Sequence, residues 1–440
     1  MALIGCFWQD SRGSSCRVII PRMSPDLHIL VLGGGAAGFF AAITCAEANP
    51  QARVTILDKS RALLSKVRIS GGGRCNVTNA CFDSALLVQY YPRGSAALRG
   101  PFTRFQPRDT IEWFEQRGVQ LKIESDGRVF PVTDRSETIV ECLLNSAQRA
   151  GVTIRTQVSI ASIEREERSG FVVRTTTGEV LNADRILLAT GSNPQGYAWA
   201  AALGHTIEPS VPSLFTFTID DARLQGLAGI AVPHAQVEIA GTSLAQSGPL
   251  LITHWGLSGP AILKLSAWGA RLLHDRSYRA QLIIDWLPDR REDDVRQQLQ
   301  AIRSDQPKKY VGSSSPFGLP MRLWLSLIGA IGLDADRRWT EVSKRHLAEL
   351  IDQLKRGVYD VRGKGEFKEE FVTCGGVALD EIDFKTMESR VCPGLHFAGE
   401  ILDIDGLTGG FNFQAAWTTG WMAGRAMAGK VIPAVVAKRG

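Results

Sequence analysis

Leu27-His-Ile-Leu-Val-Leu-Gly-Gly-Gly-Ala-Ala-Gly38 carries an apolar run, Ile29 to Leu32, straight into glycines. The Ala-rich Phe39-Phe-Ala-Ala-Ile-Thr-Cys-Ala-Glu-Ala48 follows. Apolar run, glycine turn and Ala-rich segment predict a buried strand, a tight turn and a helix. Gly33, Gly35 and Gly38 have the spacing G-x-G-x-x-G. The first glycine permits the turn, the second lets a pyrophosphate approach the backbone, and the third lets helix and strand pack closely. The helix start adds unpaired N–H groups and a positive dipole end. A second apolar strand, Val54-Thr-Ile-Leu57, ends at Asp58, twenty residues past Gly38. An acid there is placed to accept hydrogen bonds from a ribose diol. Strand, fingerprint, helix, strand and acid in this order predict a dinucleotide site.

The bulk properties set bounds around that stretch. A chain of 440 residues exceeds what one core organises, so two or three domains are expected. Hydrophobic residues make up 44% of it, as in a globular enzyme. The 50 Lys and Arg against 45 Asp and Glu leave a net charge of +5 without a dense basic tract, so no nucleic-acid partner is expected. No run of eighteen apolar residues occurs, so no membrane partner is expected either. The eight cysteines are scattered without a C-x-x-C pair, which predicts reduced thiols and a cytoplasmic location. Residues 1–26 hold Arg12, Arg17 and Arg22 but no sustained apolar core. They read as a disordered tail or an over-long start with Met23 as the true beginning, in preference to a transit peptide.

After Asp58 and Lys59 comes a loop ending Ser70-Gly-Gly-Gly-Arg-Cys-Asn-Val-Thr-Asn79. Three successive glycines preclude regular helix or strand and allow close backbone approach, with a cation and amides beside them, which suits a polar cofactor. Residues 107–118 predict a helix ending at Gly118, then a hairpin, Val119–Glu124 with Arg128–Val132, around Ser125-Asp-Gly127. Ser136 is expected to cap a helix through Arg149, with a strand at Val152–Thr156 and a short meander across 157–181. Arg185-Ile-Leu-Leu-Ala-Thr-Gly191 is a buried strand entering a turn. Beyond His205 a β-rich region runs through Trp286, a helical charged stretch covers 290–355, and Phe371-Val-Thr-Cys-Gly-Gly-Val377 opens the last part. There Gly394-Leu-His-Phe-Ala-Gly399 reads as strand and turn, and Phe413–Lys430 as helix. The expected fold is α/β, a Rossmann-like domain (27–205 and 372–440) interrupted by a β-rich domain (206–288 and 356–371) that carries a helical insertion (289–355).

A second cofactor stretch lies late in the chain. Five glycines and three acids between Gly394 and Gly410 precede a helix start near Phe411 to Gln414. In a flavoprotein such a unit serves the ribityl and ring end of FAD, with the helix dipole stabilising negative charge on the ring. The segments Ser70–Asn79, Thr253-His-Trp-Gly-Leu-Ser-Gly-Pro260 and Gly399-Glu-Ile-Leu-Asp-Ile-Asp-Gly-Leu-Thr-Gly-Gly-Phe-Asn412 resemble the aminoacetone-oxidase/BaiN-like NAD(P)/FAD-dependent oxidoreductases. With Arg128-Val-Phe-Pro131 and Thr373-Cys-Gly-Gly-Val377 the resemblance spans roughly residues 27–430. It implies a glutathione-reductase-like FAD domain, with the β-rich domain as an inserted β-barrel-like domain and a helical subdomain. It also implies that Gly33, Gly35, Gly38 and Asp58 serve the ADP half, that Arg74, Cys75 and Asn76 line the flavin, and that Glu400, Asp405 and Gly410–Gln414 hold the ribityl and ring end. Ala36, Ala37, Lys59, Gly73, Thr190, Gly191, Gly399, Phe411 and Asn412 complete the candidate set. One departure stands out: Ala189-Thr-Gly-Ser-Asn-Pro-Gln-Gly196 is shorter than the family's Gly-, Ser- and Pro-rich loop.

FAD would exchange a hydride at its N5 with a small-molecule substrate such as an amine or a carbonyl compound. A single G-x-G-x-x-G favours an oxidase, a dehydrogenase with another acceptor, or transient binding of NAD(P)H. Without a Cys pair, Cys75 reads as a packed or flavin-adjacent thiol and not half of a redox couple. Arg74 and His254 are the catalytic candidates, with a loop-holding arginine and a structural histidine as the plainer alternatives. No metal-ligand spacing occurs. Two other classes stay open: a flavin-binding module without turnover, and an FAD enzyme that modifies RNA.

Overall fold

The computed structural model describes residues 27–166, 170–365 and 372–429, so the segment 1–26 and the charged run 366–371 lie outside the described residues. The opening stretch forms strand β1 (His28–Leu32), helix α1 (Ala36–Ala48) and strand β2 (Arg53–Leu57). Strands β3 (Thr153–Arg155), β4 (Arg185–Leu188) and β5 (Leu395–Phe397) complete a parallel sheet in the order β5–β4–β1–β2–β3. Two short antiparallel strands, Ile382–Asp383 and Glu388–Ser389, extend it beyond β5. Central β1 is covered on both faces and buries Ile29 to Leu32, hence its continuous apolar run.

Helix α1 has no polar face because the sheet lies on one side and a late helix, Phe411–Met427, on the other. Gly420 and Gly424 allow that contact. A Cβ at Gly420 would sit 2.7 Å from the carbonyl oxygen of Ala37, and one at Gly424 would sit 2.5 Å from that of Ala41. Their four-residue spacing puts both on one helix face. The close approach buries Phe39, Phe40 and Trp417 completely, each stabilising the fold by about 1.5–3 kcal/mol.

The hairpin after the first α/β unit pairs Leu121–Ile123 with Arg128–Pro131, and the meander follows as Ile160–Glu166, Gly170–Thr175 and Val180–Ala183. Ser136 begins the helix Ser136–Arg149 but does not cap it, because its hydroxyl donates instead to the carbonyl of Arg68 at 2.7 Å. Six strands close a barrel in the order Phe217–Ile219, Gly256–Ser258, Ala245–Ile252, Ala231–Ile239, Ala280–Asp285 and Gly357–Lys364. Ile207–Ser213, expected in that region, stays outside it and pairs antiparallel with Val372–Val377, with a bulge between Glu208 and Val211 around Pro209. The helices Glu292–Asp305, Met321–Ala330 and Lys344–Arg356 share the barrel's core, in which Trp286, Trp324, Trp339 and Tyr359 are buried. That layer has an apolar partner in the barrel rather than a separate core.

Candidate functional site

The parallel strands end side by side, and their C-terminal ends bring Gly33, Asp58, Thr190 and Gly399 to one edge of the sheet. Such an edge is where open α/β sheets bind ligands. The three fingerprint glycines have different surroundings. Gly33 has φ +118°, and a Cβ there would lie 2.3 Å from the carbonyl oxygen of Ala189. At Gly38 a Cβ would lie 2.0 Å from the carbonyl oxygen of Gly33. At Gly35 it would meet nothing within 4 Å. Two glycines are therefore needed by the protein's own packing, and the middle one faces open space. Gly35 also caps α1 without a side chain, which leaves the helix N-terminus to an anion.

Asp58 accepts from the backbone N–H of Gly34 and of Ser60, each at 2.7 Å. Its carboxylate is thereby fixed at the end of β2 beside the fingerprint, and Lys59 next to it is exposed. Thr190 and Gly191 follow β4. The Thr190 hydroxyl is buried without a hydrogen-bond partner, an orphan group at a strand end. A Cβ on Gly191 would come 3.5 Å from a carboxylate oxygen of Glu400. Glu400 is ion-paired with Lys66, and the N–H of Gly399 donates to the Thr419 hydroxyl at 2.9 Å. The open glycine, the bare helix start and the orphan hydroxyl fit a dinucleotide: Gly35, Ala36 and Ala37 offer N–H groups to its pyrophosphate, and Asp58, Thr190 and Glu400 offer partners for hydroxyls.

The Ser70–Asn79 loop and the Gly406–Gln414 turn are knitted together. Gly71, Gly72 and Gly73 all have left-handed backbones, with φ of +58°, +69° and +82°. A Cβ on Gly410 would lie 2.4 Å from the carbonyl oxygen of Thr78, so the two segments touch backbone to backbone. Asn76, with its amide oriented to suit its neighbours, accepts from Gly410 N–H at 2.9 Å and donates to the Thr78 carbonyl at 3.0 Å. The Trp417 indole donates to the Val77 carbonyl at 2.9 Å, and the Asn79 amide to that of Gly409 at 3.1 Å. Phe411 stacks on Tyr90 with centroids 4.3 Å apart, and Asn412 bonds both backbone groups of Gly406 at 2.8 and 2.9 Å.

Several candidate side chains have protein partners. Arg74 lies over the Phe130 ring at 3.9 Å and donates to Glu124 at 2.7 Å and Asp134 at 3.4 Å, and those carboxylates strengthen its hold on its proton. Its guanidinium is thus directed to the hairpin, while Gly72 and Gly73 remain exposed. Burial pushes the Cys75 thiol up to about 12, so it is not a thiolate at neutral pH. Gln414 is fully buried, accepts from Thr78 at 2.6 Å and Thr110 at 2.9 Å, and donates to Thr418 at 3.0 Å. Asp405 differs most from expectation: its fully buried carboxylate is ion-paired with Arg93 and accepts from the Ser213 hydroxyl at 2.8 Å. Burial raises its carboxyl above the usual range, and Arg93 pulls it back down. His254 is exposed on the turn between two barrel strands, beside Trp255, whose indole donates to the Thr216 hydroxyl at 3.2 Å. Arg93, Ser213 and Thr110 carried no signal in the sequence, and Thr78 stood in the Ser70–Asn79 motif without an assigned role, since each acts on a residue far along the chain.

This fold, with its strand-end site, is that of an FAD-dependent oxidoreductase. More narrowly, the chain belongs to the family described as the HI0933-like protein Rossmann domain, whose profile matches residues 27–426. The expected BaiN-like resemblance holds at that level. It is 29% identical over 411 residues to the 3-dehydro-bile acid delta(4,6)-reductase of Clostridium scindens, covering 91% of this chain and 99% of that one. It is 30% identical over 403 residues to the ribosomal RNA dihydrouridine synthase of Escherichia coli, covering 89% of this chain and 96% of that one. A similar solved structure is the 3-ketosteroid-delta4-(5alpha)-dehydrogenase of Rhodococcus jostii, at 16% identity and a TM-score of 0.49 over 93% of this chain and 98% of that one.

Proposed function

We propose that the chain is an FAD-dependent reductase of a carbon–carbon double bond conjugated to a carbonyl in a small organic molecule. The observation that carries the cofactor is the open face of Gly35 between two glycines locked by packing. The reductive direction is supported by the Clostridium relative, whose name specifies a 3-oxo group and double bonds at positions 4 and 6. When bound and reduced by a nicotinamide nucleotide, the flavin would supply a hydride from N5. The chain's part is to hold and orient the cofactor: Gly35 and the start of α1 receive the pyrophosphate, Asp58 fixes the adenosine end, and Thr190 and Glu400 hold the middle. The N-terminus of the Phe411–Met427 helix presents its positive end to the ring. His254 on the barrel turn is the proposed proton-handling group, with Arg74 acting through the glycine loop.

The proposed reductant is a nicotinamide nucleotide that binds transiently, since the sequence carries a single fingerprint and no second one to hold it. The described cysteines are all free, which supports a reducing, cytoplasmic setting. No helix among the described residues is long and apolar enough to cross a membrane. The Escherichia relative favours a second reading, in which the conjugated double bond belongs to a uracil in ribosomal RNA. Anaerobic protein would be reduced with NADH or NADPH and then offered a 4,6-dien-3-one steroid or an unmodified ribosomal RNA transcript. Return of the flavin band with the steroid supports the first reading, and return with RNA alone supports the second. Return with oxygen alone would overturn both in favour of an oxidase.

A further inference from the structure

The Tyr90–Gly94 segment clamps the Gly-rich loop at Ile404–Phe411. Leu407 N–H donates to the Tyr90 carbonyl at 2.8 Å, and the Tyr91 hydroxyl donates to the Phe411 carbonyl at 2.6 Å. A Cβ on Gly94 would lie 2.5 Å from Ile404, and Arg93 forms an isolated antiparallel bridge with Asp405. Within this clamp Arg93 reaches in two directions. Toward the loop, its Nε and Nη2 grip both oxygens of Asp405, the two-pronged geometry in which a guanidinium is strongest. Toward the barrel side, Nη1 donates at 2.6 Å to the carbonyl of Ala267, and Nη2 donates at 3.2 Å to the Ser213 hydroxyl. Ala267 lies in the last turn of the helix Pro260–Trp268, where a cation is favoured by the dipole. That helix begins at the end of the Thr253–Pro260 motif, which bears His254 and Trp255. The Arg93 side chain is 12% exposed and that of Asp405 0%, so water competes little for these bonds.

We propose that Arg93 is a positioning residue that couples the cofactor loop around Asp405 to the helix leading from the Thr253–Pro260 motif. This rests on the FAD reading above. Lysine would not replace it, because a point charge cannot grip both Asp405 oxygens and also reach Ala267 and Ser213. Removing Arg93 alone strands a buried carboxylate and threatens folding. The decisive variant is therefore the full chain with Arg93→Gln and Asp405→Asn together, compared with Arg93→Lys and the parent. Circular-dichroism melting establishes that each folds. FAD titration and amide exchange of the cofactor-free protein then read the coupling. In the double variant, FAD binding weakens roughly tenfold or more, as loss of charge-assisted bonds predicts. Exchange across 260–268 accelerates by a similar factor while that of α1 is unchanged, and Arg93→Lys shows both effects in milder form. A double variant that binds FAD within twofold of the parent, with unchanged exchange at 260–268, would mean Arg93 serves only to neutralise Asp405. If the parent itself binds no FAD, the cofactor reading fails, but the exchange comparison still decides whether Arg93 couples the two segments.

Discussion

Gly35 and Gly38 differ by one turn of helix and predict opposite outcomes when each becomes alanine. At Gly38 the new methyl would meet the Gly33 carbonyl oxygen at 2.0 Å. That oxygen cannot retreat easily, because the Gly33 N–H is tied to the Leu57 carbonyl at 2.9 Å in the middle of the sheet. Overpacking of this kind costs about 1–3 kcal/mol, and the upper end applies because the obstacle is backbone. At Gly35 the backbone has φ −93° and ψ −170°, which alanine adopts without strain, and no atom lies within 4 Å. Losing a glycine N-cap costs up to about 1 kcal/mol, and stiffening the unfolded chain returns about 0.4–1 kcal/mol. The apoprotein of Gly35→Ala should therefore keep its stability to within about 0.5 kcal/mol. Its methyl would occupy the phosphate cradle instead. Losing one charge-assisted bond worth about 1.5–3 kcal/mol weakens FAD by roughly 10- to 100-fold. Urea unfolding of both apoproteins and fluorescence titration with FAD measure the two effects. A Gly35→Ala protein that binds FAD like the parent, or a Gly38→Ala protein as stable as the parent, would refute the division of roles.

Thr190→Val removes a buried hydroxyl that has no protein partner, so the apoprotein should be stabilised by about 1 kcal/mol while FAD binding weakens; calorimetry with and without FAD would reveal any other combination. His396 lies buried within strand β5 of the sheet, and burial lowers its pKa from 6.5 to about 4. The unfolded chain therefore binds a proton that the folded chain refuses, so stability is full above pH 6.5 and falls as pH drops toward about 4. The loss is on the order of 3 kcal/mol, and His396→Phe should flatten that part of the pH–stability curve. An unchanged slope in the variant would assign it to other groups.

What could be read from the sequence was what neighbouring residues decide. The fingerprint was readable because strand, turn and helix start lie within a dozen residues and each glycine answers a local need. From its own residues the barrel was visible only as β-rich pattern, and its closure was expected only through the family resemblance: the closing strand Gly357–Lys364 pairs with Phe217–Ile219 across the whole helical insertion, and no periodicity encodes that partner. The same limit governs the late glycine loop. Asp405 looked like a cofactor ligand because it stands among glycines, yet its partner Arg93 is 312 residues away. Gln414 likewise stands at a helix start but bonds to Thr78 and Thr110, 336 and 304 residues away. Backbone needs of glycine are local and readable, whereas pairings of buried polar groups are settled by tertiary packing.

Whether the strand-end edge holds FAD is tested most directly by the absorbance spectrum of the purified protein, with mass analysis of whatever is released on denaturation. A two-peaked flavin band and about one FAD per chain are predicted, as one cradle per chain requires. A protein that shows no flavin band, before or after incubation of the folded chain with FAD, would contradict that role for the edge.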